Sequence, residues 1–293
     1  MKCPICDKSS FVEWCKVESY SIIKCKKCGV GVTAPFPTKE QLIEFNKKTY
    51  DVEQRIKIYL SRQDYFEKRY KGYIKNIKTT KKGGKLLDIG CNIGLFMKVA
   101  QQAGFDVKGV ELNADCALYG REKFHLDIDS NYLEDIAFPD ETFDVITLFD
   151  VLEHIPNMNT FINEVKRILK NNGLIVLQSP NLNSLMSEIT KGKWYWLGPP
   201  DHLYHFTPDA MTRFLRSHGF SIKEVKTWEP AEDFVNNLTT VFCPVNSMPG
   251  KVMRKLLKIT LMTLIPIRLF QNMWWQKKKG GLIEIYALKA NNK

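Results

Sequence analysis

The stretch Lys85-Leu86-Leu87-Asp88-Ile89-Gly90-Cys91-Asn92-Ile93-Gly94 decides the fold of this chain. Its apolar first half leads into a turn with two glycines, and an apolar segment with helical spacing follows from Leu95 to Ala100. This order predicts a strand, a tight loop and a helix whose unpaired backbone N–H groups face the loop. Glycine suits such a loop because a Cβ atom would keep a ligand away from the backbone. The stretch therefore predicts a ligand-binding junction, although an ordinary strand-to-helix turn would also accommodate the glycines.

Glu111 points to a nucleotide as that ligand. It follows a second predicted strand, residues 105–110, and an acid about 20 residues after a glycine loop is placed to accept hydrogen bonds from ribose hydroxyls. The dinucleotide fingerprint requires G-x-G-x-x-G, whereas this loop reads Asp88-x-Gly90-x-x-x-Gly94. The loop therefore favours a nucleotide ligand that is not a dinucleotide.

Two later segments extend the pattern. Residues 143–155 read FDVITLFDVLEHI, and a predicted strand at 173–178 follows a helix with apolar residues at core spacing. Together with the glycine loop and Glu111, they resemble the class I S-adenosylmethionine-dependent methyltransferases over residues 83–227 and again over 282–289. The resemblance implies an α/β fold with a Rossmann-like, mostly parallel seven-stranded sheet, helices on both faces, and S-adenosylmethionine as cofactor.

The resemblance also implies which residues bind the cofactor. Asp88 would shape the loop around the methionine portion, and Glu111 would bind the ribose hydroxyls. Gly90 and Gly94 would permit close approach of the backbone, and Asn92, which tolerates a left-handed conformation, would replace a glycine that is frequent in the family. The complete set expected on this basis is Asp88, Gly90, Cys91, Asn92, Gly94, Glu111, Leu112, Tyr132, Leu133 and Phe149.

Four cysteines have the spacing of a metal site. Cys3 and Cys6 form one C-x2-C pair, and Cys25 and Cys28 form a second pair after an 18-residue gap. This spacing is typical of a zinc ribbon, in which four thiolates complete a tetrahedron. A closed four-thiolate site has no open position for catalysis, so we expect structural zinc that supplies the folding energy of this short segment.

Three of the five histidines, His154, His202 and His205, fall in loops predicted at the carboxyl ends of the strands, where open α/β sheets bind ligands. The last two lie in residues 194–208, WYWLGPPDHLYHFTP. This segment resembles a branch of methyltransferases from polysaccharide, sugar and natural-product pathways, several of which carry an N-terminal zinc ribbon. In that branch a histidine of this loop is a candidate base. All three histidines are therefore candidate catalytic residues, and structural hydrogen bonding is the alternative for His202 and His205.

His154 has a further alternative role. Asp150, Glu153 and His154 resemble the acidic cluster with histidine that holds a divalent cation in some quinone-biosynthesis O-methyltransferases. The shorter side chain of Asp150 departs from the longer acid that is usual there. Anchoring of the loop and the following helix is the structural alternative for Glu153 and His154.

The composition fits an enzyme with one large domain and appendages. The chain has 293 residues, of which 44% are hydrophobic and 26% charged. No apolar leader follows Met1, and the eight cysteines do not suggest a disulfide framework, so we expect a reducing, cytoplasmic location. The predicted segments are a zinc ribbon (1–38), a helical lid or linker (39–82), the methyltransferase core (83–227), a basic amphipathic helical insertion (228–280), and a last core strand with the tail (281–293).

Most of the net charge of +11 is concentrated near the end of the chain. Eight basic residues and no acid lie between Lys251 and Lys279, interleaved with apolar side chains. A basic amphipathic helix flanked by Trp274 and Trp275 suits an anionic membrane surface, so residues 251–275 predict peripheral attachment to the inner face of the membrane. The alternative is that this segment packs on the core or on a second subunit, and in the latter case the protein would form a homo-oligomer.

The resemblance implies methyl transfer from S-adenosylmethionine to a hydroxyl or activated carbon of a sugar, glycan, lipid-linked or quinone-like acceptor. One alternative is an RNA methyltransferase, but the localised charge argues against nucleic acid, which requires a basic surface around the cleft. Another is a non-catalytic zinc-ribbon binding protein with a degenerate cofactor fold. The intact Asp88, Gly90, Gly94 and Glu111 argue against that alternative.

Overall fold

A computed structural model describes residues 1–49, 51–242 and 273–290 of the chain. Of the segment 251–275, for which membrane attachment was expected, all but the last three residues lie outside the described residues. Within the described ranges, no helix combines the length and the apolar character needed to cross a membrane.

The described residues form strands and helices in an order that alternates through the middle of the chain. The strands are β1 (Phe11–Val17), β2 (Tyr20–Cys25), β3 (Gly31–Ala34), β4 (Gly84–Ile89), β5 (Phe105–Val110), β6 (Ile128–Asp129), β7 (Phe143–Phe149), β8 (Leu169–Pro180), β9 (Tyr204–His205), β10 (Phe220–Trp228) and β11 (Leu282–Lys289). The helices are α1 (Lys39–Thr49), α2 (Val52–Ser61), α3 (Gln63–Ile77), α4 (Leu95–Gln102), α5 (Ala114–Phe124), α6 (Leu133–Ile136), α7 (Met158–Ile168), α8 (Leu185–Thr190), α9 (Pro208–Ser217) and α10 (Ala231–Phe242).

Seven strands form one sheet in the order β10-β11-β8-β7-β4-β5-β6. The pairs β4–β5, β4–β7, β5–β6 and β7–β8 are parallel. Strands covered on both faces read as continuous apolar runs, and Leu86, Leu87, Val145 and Ile146 are fully buried. The predicted mostly parallel, Rossmann-like seven-stranded sheet is therefore confirmed. The strand order reverses between β4 and β7, and ligands of open α/β sheets bind at such a point.

The described residues divide into two compact units. One comprises Met1–Leu42, Ser179–Phe214 and Val225–Glu284, and the other comprises Ile43–Gln178, Leu215–Glu224 and Ile285–Lys293. The five-segment division inferred from the sequence stays a prediction.

A four-stranded sheet with the order β1-β2-β3-β9 characterises the first unit. The cysteine-bearing segment supplies three strands, and the histidine-bearing loop supplies the fourth, with Gly31 opposite His205 and Val32 opposite Tyr204. This pairing joins residues that are about 170 positions apart in sequence, so spacing alone did not predict it. A buried apolar cluster lies in the same unit and comprises Ile22, Leu182, Met186, Trp194, Leu197, Phe234 and Val235.

Two helical glycines of the second unit differ in the space around them. A Cβ atom at Gly120 on α5 would lie 2.4 Å from Ile128 Cδ1 and 3.0 Å from the backbone oxygen of Ile93. A Cβ atom at Gly72 on α3 would meet nothing within 4 Å. The first glycine therefore permits close packing of α5 against the segment that leads into α4, whereas the second has no packing role.

We expect Gly120→Ala to lower the free energy of unfolding by about 1–3 kcal/mol, because the backbone of Ile93 cannot move aside for an added methyl group. Gly72→Ala is the matched control and should raise it by up to about 1 kcal/mol, because alanine favours the helix. Chemical denaturation followed by circular dichroism measures both changes. Equal effects of the two substitutions would contradict this account of the packing.

Candidate functional site

The loop between β4 and α4 is built from left-handed backbone. Gly90, Asn92 and Gly94 have φ values of +73°, +50° and +82°. The backbone N–H groups of Gly90 and Cys91 both donate to the carbonyl oxygen of Val110, at 2.7 and 3.2 Å. These bonds fold the loop back over the end of β5. Asn92 thus adopts the left-handed conformation that asparagine tolerates better than most residues.

At Gly90 and Gly94, neighbouring side chains also leave no space for a Cβ atom. A Cβ atom at Gly90 would lie 2.5 Å from Val151 Cγ2, and one at Gly94 would lie 2.3 Å from Leu126 Cδ1. From the sequence, these glycines were expected for a positive φ or for close approach of a ligand. The fold adds tight packing of the loop against the segments that follow β7 and α5.

Glu111 at the end of β5 is bound to the same loop. Its Oε2 accepts a hydrogen bond from the backbone N–H of Asn92 at 2.8 Å, and its Oε1 accepts one from the backbone N–H of Asn113 at 2.8 Å. Burial raises the pKa of the Glu111 carboxyl, against the lowering effect of these two bonds. A carboxylate has about four acceptor positions, so each oxygen retains one for a further donor such as a ribose hydroxyl.

Asp88 lies at the end of β4, at the point where the strand order reverses. Its Oδ1 accepts a hydrogen bond from the Thr147 hydroxyl on β7 at 2.6 Å. Its side chain is almost fully buried, and this burial raises the pKa of Asp88 to about 7. The carboxyl group therefore braces the two central strands.

Aromatic side chains from α3 and α4 surround the end of β7. The ring of Phe149 stacks on Tyr73 and Tyr70, with centroids 4.6 and 6.5 Å apart, and meets Phe96 edge-on at 4.9 Å. The helical segment expected as a lid thus places two of its tyrosines against a residue of the expected cofactor set.

A polar network that the sequence analysis missed lies beside these rings. Gln178 at the end of β8 donates from Nε2 to Asp150 Oδ2 at 2.7 Å, and its Oε1 accepts hydrogen bonds from Arg69 at 2.5 Å and from the Tyr73 hydroxyl. Asp150 Oδ1 is buried without a hydrogen-bond partner. The i, i+4 spacing of Arg69 and Tyr73 was the available signal, because it places both side chains on one face of a helix.

The remaining residues of the expected cofactor set occupy different environments. Leu112 and Tyr132 are 51% and 55% exposed. Leu133 is buried at the start of α6, and Cys91 is buried within the loop. Leu112 and Tyr132 are exposed enough to contact the adenine ring of a nucleotide, whereas Leu133 and Cys91 pack within the protein.

The two histidines of the 194–208 loop differ in exposure and in contacts. His205 on β9 is 3% exposed, and its Nε2 lies 3.1 Å from Thr33 Oγ1. His202 is half-buried, its ring centroid lies 6.4 Å from that of His205, and its carbonyl oxygen accepts a hydrogen bond from Thr33 Oγ1 at 2.6 Å. In the other unit, His154 ends the 3-10 turn after β7, directly after the fully buried Glu153.

The four cysteines of the two C-x2-C pairs converge. All four Sγ atoms lie within 4.8 Å of one another, with Cys3 and Cys28 3.4 Å apart and Cys6 and Cys25 3.6 Å apart. Zn–S bonds of about 2.3 Å in a tetrahedron place sulfur atoms about 3.8 Å apart, so the arrangement fits zinc.

The thiols of the cluster differ in ionisation. The hydrogen bond with Cys28 lowers the pKa of the Cys3 thiol to about 5, whereas the same bond and burial raise the pKa of Cys28, and burial raises the pKa of Cys6. Burial also raises the pKa of Cys15, which is not part of the cluster, to about 11. The thiolate, not the thiol, is the metal ligand, so the fit to zinc rests on the convergence of the four sulfur atoms.

Comparisons with known proteins agree with this geometry. The methyltransferase-domain family matches residues 62–225, more than half of the chain. The ubiquinone biosynthesis O-methyltransferase of Glaesserella parasuis serovar 5 is 30% identical over 159 residues, which are 49% of this chain and 67% of that protein. Its counterpart from Bradyrhizobium diazoefficiens is 32% identical over 153 residues, which are 48% of this chain and 60% of that protein.

Solved structures share the fold at lower identity. An S-adenosylmethionine-dependent methyltransferase from Archaeoglobus fulgidus superposes with a TM-score of 0.53 at 21% identity, over 78% of this chain and 94% of that chain. The [4+2]-cyclase SpnF superposes with a TM-score of 0.50 at 16% identity, over 75% of this chain and 81% of that chain. These similarities show the fold alone, because one fold supports different reactions.

The family match is thus accompanied by the expected parallel sheet and by a glycine loop bound to an acidic residue. The likeness to a zinc-ribbon branch of the family stays a prediction. The chain belongs to the methyltransferase-domain family and is a class I S-adenosylmethionine-dependent methyltransferase.

Proposed function

We propose that this methyltransferase transfers the methyl group of S-adenosylmethionine to a hydroxyl oxygen of a small-molecule acceptor of the quinone-like, sugar or lipid-linked class. The observation that carries the proposal is the hydrogen bonding of Glu111 to the loop after β4, which leaves acceptor positions for two ribose hydroxyls. The names of the curated relatives, which are O-methyltransferases, support oxygen as the receiving atom.

The residues of the second unit divide the work of holding the cofactor. Glu111 would bind the ribose, and the backbone of Gly90 and Gly94 would allow the methionine portion to approach closely. The exposed Leu112 and Tyr132 would flank the adenine ring. The free Oδ1 of Asp150 would accept a hydrogen bond from a donor on the bound molecules.

The cofactor supplies an electrophilic methyl group on a sulfonium. The protein must align the acceptor with it and remove the proton of the hydroxyl. Among the histidines of the 194–208 loop, His202 fits the role of base better than His205, because His205 is almost completely buried and its Nε2 is bound to Thr33. His154 is the second candidate for the base, and binding of a divalent cation with Asp150 and Glu153 is its alternative role.

Cofactor binding should depend on Glu111. We expect Glu111→Ala to weaken binding of S-adenosylmethionine by about 1.5–3 kcal/mol, the range for hydrogen bonds to a charged group, which is roughly ten- to 150-fold in Kd. Glu122→Ala, which removes an exposed acid of α5, is the control and should bind like the wild type. Calorimetry measures both. Absence of binding of the cofactor and of its demethylated product to the wild type would refute the proposed function.

Turnover should depend on His202. A panel of catechols, nucleotide sugars, lipid-linked glycans and RNA, assayed with radioactive S-adenosylmethionine, identifies the acceptor. With that acceptor, His202→Gln should lower kcat by about 10²–10⁴-fold and leave cofactor affinity unchanged, because loss of a general base affects the chemical step. His218→Gln, which changes the residue directly after α9, is the control. Wild-type turnover in His202→Gln would transfer the role to His154 or exclude a histidine base.

Zinc should bind in one equivalent. We expect Cys6→Ser to abolish zinc binding and to leave cofactor affinity in place, because three thiolates cannot complete the closed tetrahedron. Cys15→Ser is the matched control, since that thiol belongs to the same segment but lies outside the cluster. Elemental analysis of protein purified without chelator measures the metal content. Protein without zinc, or equal zinc in both variants, would rule out this site.

A further inference from the structure

Thr33 on β3 connects the cysteine-bearing strands to both histidines of the 194–208 loop. Its hydroxyl oxygen lies 2.6 Å from the carbonyl oxygen of His202 and 3.1 Å from His205 Nε2. Thr33 is fully buried, so water does not compete for these bonds. Nothing in the sequence pattern singled this residue out.

The direction of the two bonds follows from counting protons. A carbonyl oxygen can only accept, so the single hydroxyl proton of Thr33 is donated to His202. The hydroxyl oxygen must then accept from His205, which requires a proton on Nε2 of His205. Thr33 therefore selects the Nε2–H form of His205 and holds the backbone of His202.

We propose that Thr33 is a positioning residue for the histidine loop, and that through it the zinc ribbon holds His202 in its working orientation. The proposal rests on the proposed function for the role of His202 as base. Thr33 itself touches neither cofactor nor acceptor in this account, and it acts only through the loop.

The strand pairing around Thr33 supports this role. Its backbone N–H donates to the carbonyl oxygen of Leu203 at 3.0 Å, and Gly31 lies opposite His205 in the β3–β9 ladder. A Cβ atom at Gly31 would lie 3.0 Å from His205 Cβ and 2.8 Å from Leu182 Cδ2. The loop is thus held by β3 through backbone, side-chain and packing contacts at once.

The metal site is continuous with this strand. The N–H of Cys25 donates to the carbonyl oxygen of Val30 at 2.8 Å, and the N–H of Gly29 donates to that of Cys25 at 2.9 Å. The second cysteine knuckle therefore closes immediately before Gly31, the first residue of β3. Because zinc binding supplies the folding energy of such small ribbons, loss of the metal should loosen β3 and release the loop.

Histidine NMR of the full chain tests the proposal. In zinc-loaded protein with 15N-labelled histidine, long-range 1H–15N spectra report the tautomer of each ring, and His205→Gln assigns the His205 signal. We expect the Nε2–H form in the wild type and its loss in Thr33→Val, which preserves shape but removes the hydroxyl. Thr33→Ser should restore the wild-type spectrum. Ser21→Ala, which removes a hydroxyl from the neighbouring strand β2, is the control.

Two further measurements connect the hydroxyl to zinc and to turnover. Chelation of zinc from the wild type should change the His205 signal as Thr33→Val does and should speed amide exchange at Thr33 at least tenfold. With the acceptor found by the panel, Thr33→Val should lower kcat about tenfold or more with unchanged cofactor affinity, and Thr33→Ser should restore it.

An unchanged His205 signal in Thr33→Val, or after chelation, would overturn the proposal, as would a wild-type kcat in Thr33→Val. If Thr33→Val does not fold, chelation of the wild type decides the link to zinc and Thr33→Ser decides the need for the hydroxyl. Failure of the proposed function has a different signature, because lack of cofactor binding or full activity of His202→Gln leaves the His205 spectrum as predicted.

Discussion

The parallel register of β4 and β5 is the constraint on which the candidate cofactor site depends. Asp88 pairs with Gly109 and Ile89 pairs with Val110, so both strands end at the same level. The N–H groups of Gly90 and Cys91 can then reach the carbonyl oxygen of Val110, and Glu111 can accept from Asn92. A shift of one residue would break these bonds together and turn every side chain of the strand to the opposite face.

Burial of acidic groups gives this region its electrostatic character. Desolvation raises the pKa of both Asp88 and Glu111, and the charge of Glu111 adds to the rise at Asp88. Hydrogen bonds from Thr147 and from backbone N–H groups offset part of that cost. A cationic ligand offsets it further, because a nearby positive charge favours the ionised carboxylate. S-adenosylmethionine carries such a charge on its sulfonium, so the acidic character of this region agrees with the proposed cofactor.

In the first unit, the cysteine segment and the histidine loop depend on each other. The segment is too short to bury a core, and its strands obtain a fourth partner from β9 and a packing surface from the tryptophan-containing cluster. In return, the backbone polar groups of the loop find partners in β3, among them the carbonyl oxygens of His202 and Leu203. Buried backbone groups require such partners. This exchange explains why the cysteine cluster, which has no open position for catalysis, belongs to the same sheet as the histidine loop that is proposed to supply the catalytic base.

The parallel seven-stranded sheet was implied by the resemblance to the methyltransferase family. The sequence by itself determined the strand, glycine loop and helix around Asp88, the left-handed conformation that Asn92 tolerates, and the grouping of Cys3, Cys6, Cys25 and Cys28. These features rest on local signals: apolar runs of strand length, residues that tolerate positive φ, and a ligand spacing that only a few folds satisfy. Only the tertiary structure decided that Gln178 joins Arg69 to Asp150, that Gly90 and Gly94 are packed against side chains, and that Thr33 holds the histidine loop. Thr33 and His205 are separated by 172 positions. Their contact depends on strand pairing and burial, and no local periodicity encodes which distant strand completes a sheet.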